Sequence, residues 1–353
     1  MDLTIRDLPA GSQKKKDLEN LKFGEQFTDR MFLMEYSQGK GWHDARIEQF
    51  HNFSLSPATM SLHYAQEIFE GMKAYAMRDG GVAIFRPDEN WKRMRSSAEA
   101  LCMPDFDEGF VMRALTELIR LERDWVPKRK GTSLYIRPTM IGADPVIKVR
   151  ASSEYLFYII LSPVGAYFSA DRTMSKIMVE DRYVRAVRGG LGFAKTGANY
   201  AASIRAGMEA AKKGYDQVLW LDGVERRFVE EVGSMNIFFV IDGVVTTPAL
   251  NGSILPGITR KSVLELAGKL GFKSSERTIE IEEVISGLES GRVSEVFGSG
   301  TACVINPVST ILYKGKEYAV TKEPGKYART FFEYLTGIQH GEKEDLFGWM
   351  KAV

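Results

Sequence analysis

The 353-residue chain holds two cysteines, four histidines and almost no excess of charge. Cys102 and Cys303 cannot build a disulfide framework, and their scarcity points to a reducing cytosol. His43, His51, His63 and His340 are scattered, without metal-ligand spacing, so no metal site is expected. Lys and Arg number 47 against 46 Asp and Glu, a net charge of +1. That balance gives no field for nucleic acid or an anionic membrane. The one basic block, Lys14-Lys15-Lys16, reads as a solvated stretch. The longest apolar run, Leu156 to Phe168, is interrupted by Ser162 and Pro163 and is too short to span a bilayer. Met1 to Asp7 lack the apolar core of a signal peptide. Internal repeats and low-complexity segments are also missing.

What remains is an ordinary globular composition, 44% hydrophobic and 26% charged, long enough for about two domains. Met31 to Tyr36, Ala45 to Phe50 and Val82 to Phe85 read as strands, with a turn at Asp79-Gly80-Gly81. Pro87 and Asp88 open a helix with Trp91, Met94, Ala98 and Leu101 at helical spacing. Val111 to Arg123 is predicted as a second helix, and Ser133 to Arg137 and Tyr155 to Leu161 as buried strands. Pro163-Val164-Gly165-Ala166 breaks the pattern. This places an N-terminal domain at 1–163, a linker at 164–175 and a C-terminal domain at 176–353. In the second half, a helix from Ala198 to Lys213 sets Tyr200, Ile204, Met208 and Ala211 on one face, and Gly207 inside it suggests close packing. Gln217 to Leu221 reads as a strand, and Ile258 to Leu270 as an amphipathic helix closed by Gly271. Strands and helices intermix throughout, so the fold class is α/β or α+β.

The chemistry concentrates around Lys195, in Gly189-Gly190-Leu191-Gly192-Phe193-Ala194-Lys195-Thr196-Gly197. Small and apolar neighbours argue for an amine held away from water, the setting in which lysine acts as a nucleophile. Glu230 and Glu231 are adjacent in a strand, so they point to opposite faces, and the apolar run after Gly233 favours Glu231 for an interior. A buried carboxylate there needs a cationic partner, and a protonated pyridine nitrogen would serve. Two turns suit a phosphate. Leu255-Pro256-Gly257-Ile258-Thr259 precedes a helix whose first amides attract anions, and Gly298-Ser299-Gly300-Thr301-Ala302 follows a strand. An amine, a carboxylate and phosphate-sized turns suggest pyridoxal phosphate. Taken singly, each is also what a surface lysine, a solvated strand end or an ordinary connection looks like. A rival exists: Gly189 to Thr196 nearly matches a P-loop, with Val218 to Asp222 as a magnesium-holding strand. Ala194 stands where that motif needs its last glycine, and no clear strand ends before Gly189, so the P-loop is the weaker reading.

The ordered motifs resemble the branched-chain amino acid aminotransferases, the fold-type IV class of pyridoxal phosphate enzymes. They are Ser61-Leu62-His63-Tyr64, Phe69-Glu70-Gly71-Met72-Lys73-Ala74, Tyr135-Ile136-Arg137-Pro138, Pro163 to Phe168, the lysine segment, Glu231 to Asn236, Leu255-Pro256-Gly257 and Phe297 to Ala302. The resemblance runs from about Phe32 to the C-terminus. It implies a small α/β domain and a larger pseudo-barrel domain. It also implies that Lys195 bonds the cofactor, Glu231 holds the pyridine nitrogen and Tyr200 holds the phenolic oxygen. Arg93, the amides of Ile258 and Thr259 and the Thr301 hydroxyl would bind the phosphate, with Leu255, Gly257 and Ser234 also at the cofactor. Tyr64, Phe69, Tyr135, Tyr167, Thr301 and Ala302 would line the substrate pocket, and Arg137 would take the distal carboxylate of glutamate. Ile147 and Val149 would reach the partner's site in a homodimer. The implied substrates are branched-chain amino acids, glutamate and their 2-oxo acids, handled in the cytoplasm. D-amino acid aminotransferase and aminodeoxychorismate lyase resemble the second half more than the first. Two departures stand out. Asn306 replaces the second cysteine of a Cys-x-x-Cys switch, so none is expected, and Ser234 stands where relatives often carry threonine.

Overall fold

The computed structural model describes residues 1–14, 16–165 and 174–353. Tyr167 and most of the expected linker lie outside the described residues. The chain divides into two compact units. The first comprises Met1–Ala166, Ala194–Gly197 and Gly337–Val353, and the second Tyr167–Phe193 and Ala198–Thr336.

The first unit is a sheet with helices on it. Its strands are β1 (Thr4–Ile5), β2 (Arg30–Ser37), β3 (Gly41–Gln49), β4 (Glu67–Phe69), β5 (Met72–Ala76), β6 (Val82–Phe85), β7 (Ser133–Gly142) and β8 (Glu154–Val164). They run in the order β1-β3-β2-β8-β7-β5-β6, with β4 also on β7. The helices are α1 (Met60–Tyr64), α2 (Pro87–Ala100) and α3 (Glu108–Leu121). Proline occupies the first turn of α2, where its missing N–H costs nothing. Asp107 caps α3 by accepting the Phe110 N–H at 2.9 Å, which starts this helix earlier than its apolar periodicity indicates. Trp91 and Met94 of α2 and Phe110 and Leu115 of α3 bury against Phe32, Ile136 and Phe157 of the sheet in one apolar core.

β7 extends past the expected Arg137 and passes through Pro138. A proline cannot donate to the ladder, and the strand beside it is correspondingly split. β4 pairs at Phe69↔Thr139 and β5 at Met72↔Ile136. Between them the chain bends at Glu70-Gly71, where the Glu70 N–H still reaches the Pro138 carbonyl at 2.8 Å.

The second unit contains β9 (Ser175–Glu180), β10 (Gln217–Leu221), β11 (Val229–Val232), β12 (Met235–Ile241), β13 (Val244–Pro248), β14 (Ser274–Arg277), β15 (Val293–Gly300), β16 (Val304–Tyr313) and β17 (Lys316–Ala319). The order β11-β10-β9-β16-β15-β12, together with direct β11–β12 pairing, closes a six-stranded ring, the expected pseudo-barrel. The helices α4 (Gly197–Lys212), α5 (Ile258–Lys269), α6 (Ile281–Ser290) and α7 (Lys326–Gln339) follow the chain order, and β18 (Met350–Ala352) completes the first sheet beside β6.

Two local expectations need correction. Gly298, Ser299 and Gly300 are not a turn but the end of β15, because Ile237↔Gly298 and Asn236↔Ser299 pair them into the sheet. The turn is confined to Thr301 to Cys303. In α4 the stripe of Ile204 and Met208 is exposed, at 60% and 58%, while Asn199, Ala206 and Ala210 form the buried face. Among the described residues a Cβ on Gly207 would meet nothing within 4 Å, so no close packing requires the glycine there. Among the described residues no helix is long and apolar enough to cross a membrane.

Candidate active site

Lys195 is fixed by its backbone. Its N–H donates to Ser97 Oγ of α2 at 2.9 Å, and its carbonyl accepts the Phe69 N–H of β4 at 3.0 Å. Its side chain is half-buried, with Nζ 4.8 Å from the centre of the Phe69 ring. The guanidinium of Arg137 lies 4.6 Å from the same ring and donates to the Tyr135 hydroxyl at 3.2 Å. That hydroxyl is why residue 71 is glycine: a Cβ there would sit 2.0 Å from it. An amine and a guanidinium thus share one aromatic platform, a cation–π arrangement.

Arg93 projects from α2 into the same unit and is buried with Glu70. Its Nε and one terminal nitrogen donate to the two Glu70 oxygens at 2.7 and 2.8 Å. Asn90 Nδ2 and the Gly71 N–H complete the cage around that carboxylate, at 2.7 and 3.0 Å. Burial opposes the Glu70 charge, but Arg93, Lys195 and Asn90 outweigh it and hold the carboxyl below its ordinary range. The fork of Arg93 is therefore aimed by Glu70, a partner with no role in the sequence reading.

In the second unit both members of the carboxylate pair are buried. Glu230 accepts from Ser253 Oγ and, at 3.3 Å, from Asn251. Glu231 accepts the Leu255 N–H at 2.6 Å, and Arg185 Nε lies 3.2 Å from its other oxygen. Arg185 also donates to the carbonyls of Gly192 and Ser253. The cation that a buried carboxylate requires is thus already in the protein, and sequence reasoning missed it. The glycine-rich approach has its reason here too. A Cβ at Gly192 would fall 2.2 Å from the Ser253 carbonyl oxygen.

The expected phosphate turn before α5 keeps its character. Gly257 caps α5 without any side-chain cap, and no acidic residue stands in the first turn, so the amides of Ile258 and Thr259 favour an anion. A Cβ on Gly257 would lie 1.9 Å from Asn236 Oδ1, while Asn236 Nδ2 holds the Leu255 carbonyl at 2.9 Å. Asn236 is thus a support for this cradle. Thr301 and Ala302 sit half-buried in the β15–β16 turn, Tyr200 is half-buried on α4, and Ser234 is exposed at the tip of the β11–β12 turn. Tyr64 ends α1. Ile147 and Val149 project from a loop at 67% and 82% exposure.

Asp222, the carboxylate that a P-loop reading would give to magnesium, has other work. It accepts the amides of Val224, Glu225, Arg227 and Phe228. Burial raises its pKa, but these four amides prevail and hold it down at about 2. Taken by itself, the first unit offers a positioned amine, and the second a buried carboxylate and a helix N-terminus behind a glycine that admits no Cβ, donor types that suit a phosphorylated pyridine carbonyl.

Residues 67–311 match the family model for class IV amino-transferases. The chain is 53% identical over 343 residues to a probable branched-chain-amino-acid aminotransferase of Staphylococcus epidermidis, covering 97% of this chain and 96% of the relative. It is 50% identical over 353 residues to branched-chain-amino-acid transaminase 1 of Bacillus subtilis, covering 99% of each. Among solved structures, the branched-chain aminotransferase of Thermoproteus uzoniensis with norvaline aligns at a TM-score of 0.77 and 26% identity, covering 92% of this chain and 99% of that one. The T.th. branched-chain amino acid aminotransferase with pyridoxamine 5'-phosphate aligns at 0.76 and 27%, covering 91% and 97%. The chain belongs to the class IV aminotransferases, alongside the branched-chain-amino-acid aminotransferases, and is a transaminase whose cofactor is pyridoxal phosphate.

Proposed function

We propose that the chain moves an amino group reversibly between L-leucine, L-isoleucine or L-valine and 2-oxoglutarate, in two half-reactions with ping-pong kinetics. The observation that carries this reading is the placement of Lys195, clamped by Ser97 and β4 with its amine over Phe69. Pyridoxal phosphate supplies the electron sink for charge developing at the substrate Cα. To Lys195 we assign the covalent hold on the cofactor and the removal of the Cα proton by Nζ. To Glu231 we assign keeping the ring nitrogen protonated; its burial supports that role, although Arg185 already shares the carboxylate. Tyr200 bonds the phenolic oxygen. Arg93, Gly257, Ile258, Thr259 and Thr301 bind the phosphate, with Leu255 and Ser234 beside the cofactor.

To Tyr64, Phe69, Tyr135 and Ala302, and to Tyr167 outside the described residues, we assign the lining that a branched side chain requires. Arg137, stacked on Phe69, takes the distal carboxylate of glutamate. The exposed Ile147 and Val149 extend into the site of a partner in a homodimer, and the exposed Ile204 and Met208 on α4 suit burial in such an assembly.

The test is the visible spectrum of the purified protein. Its yellow colour should bleach with L-leucine and return with 2-oxoglutarate. A response to D-alanine alone would shift the function to D-amino acids, and a protein that stays colourless with pyridoxal phosphate would refute the reading.

A further inference from the structure

A transaminase that takes both leucine and glutamate must house a cation that is needed for one side chain and harmful to the other. Arg137 has this problem in acute form. It is only half-exposed, its Nε is buried without a hydrogen-bond partner, and among the described residues it makes no ion pair. Its visible support is the Phe69 ring and the Tyr135 hydroxyl.

The strand register brings a carboxylate to the same surface. β4 and β7 pair as Glu67↔Ile141 and Phe69↔Thr139, so Glu67 and Phe69 share a face with Arg137 and Thr139. Tyr158 of β8, opposite Thr139, joins that face. The Glu67 carboxylate is directed back toward the catalytic lysine's segment: a Cβ on Gly197, two residues beyond Lys195, would fall 1.8 Å from Glu67 Oε1. Glu67 is half-buried. Burial holds its carboxyl above its ordinary range, against the opposing charge of Arg137. Burial raises the Tyr158 hydroxyl most, Thr139 hydrogen-bonds to it, and Glu67 and Arg137 then act on it with opposite signs.

We propose that Glu67 is a specificity-determining residue, the internal counter-charge of Arg137 that lets one pocket accept an apolar side chain and still yield to a carboxylate. With leucine bound, Glu67 offsets the guanidinium charge facing the hydrocarbon. With glutamate bound, the substrate carboxylate pairs with Arg137 while the nearby charge of Glu67 opposes it. This inference rests on the dual-substrate reading above. It requires that removing the charge of Glu67 move the two ligand classes in opposite directions, which a merely structural role would not do.

The experiment is calorimetric binding of two unreactive analogues, glutarate and 4-methylpentanoate, to the holoenzyme and its variants. Glu67→Gln keeps the shape and removes the charge. It should tighten glutarate by about two- to fivefold and weaken 4-methylpentanoate by a similar factor, the scale of a solvent-screened ion pair. Glu67→Asp, which keeps the charge, should move the ratio of the two constants in the same direction by less. Loss of both affinities in parallel, or an unmoved ratio in both variants, overturns the role of Glu67. A wild-type enzyme that binds 4-methylpentanoate but not glutarate would instead overturn the dual-substrate reading beneath it. Should Glu67→Gln fail to fold, the ratio in Glu67→Asp decides: unchanged, it refutes the proposal.

Discussion

Replacing Glu70 by glutamine is expected to loosen α2 far more than so small a change suggests. Glu70 is fully buried, and the substitution leaves the Arg93 guanidinium buried opposite a neutral amide. Breaking a buried ion pair by removing one partner costs about 3–5 kcal/mol, because the remaining charge is stranded away from water. Amide exchange of α2 should therefore accelerate by about two to three and a half orders of magnitude where opening of this unit limits it. The cost belongs to the stranded cation, so Arg93→Met added to Glu70→Gln should recover much of the protection. The pH dependence has a definite sign. The folded carboxyl is held below its ordinary value, so its contribution is complete above about pH 4.3 and is lost as pH falls through the lower folded value. Wild-type α2 should thus lose protection in acid by a step that Glu70→Gln lacks. A cost below about 1 kcal/mol, or strictly additive effects in the double variant, would refute the argument.

Two further outcomes follow from close contacts. Gly257→Ala forces a methyl onto Asn236 Oδ1 beside the uncapped amides of α5, so it should weaken retention of pyridoxal phosphate by at least about tenfold, read by cofactor fluorescence during dialysis. Unchanged retention would remove Gly257 from the cradle. Asp222→Ala strips acceptors from four amides and should destabilise the Val224 to Phe228 turn by about 2–4 kcal/mol, at roughly 0.5–1 per bond. In the wild type, where the folded pKa is about 2, that turn should loosen as pH falls from about 4 toward 2, and the variant should show no such titration.

The half-buried setting of Lys195, the burial of Glu231 and the helix after Gly257 were legible in the sequence because each depends on local chemistry: an amine among glycines, a carboxylate entering an apolar strand, a glycine before a helix. Partners distant in the chain were not legible. Glu70 orients Arg93 across 23 positions, and nothing near either residue signals the pair. Arg185 reaches Glu231 only because the chain from Gly192 packs against Ser253, a contact visible in the space denied to a Cβ. Pairing also overrides composition. Gly298-Ser299-Gly300 has the residues of a turn, yet β12 draws it into the sheet, and Pro138 sits inside β7 because the neighbouring strand bends away there. On α4, periodicity puts Ile204 and Met208 on one face but does not say what covers that face.

The central claim is that Lys195, and no other lysine, holds the cofactor. Borohydride reduction of the yellow protein, followed by peptide mass analysis, tests it directly. The phosphopyridoxyl mass should fall on the peptide containing Lys195, and the same treatment should leave Lys195→Ala unlabelled. Label on another buried lysine such as Lys73, or equal labelling of the variant, would contradict it.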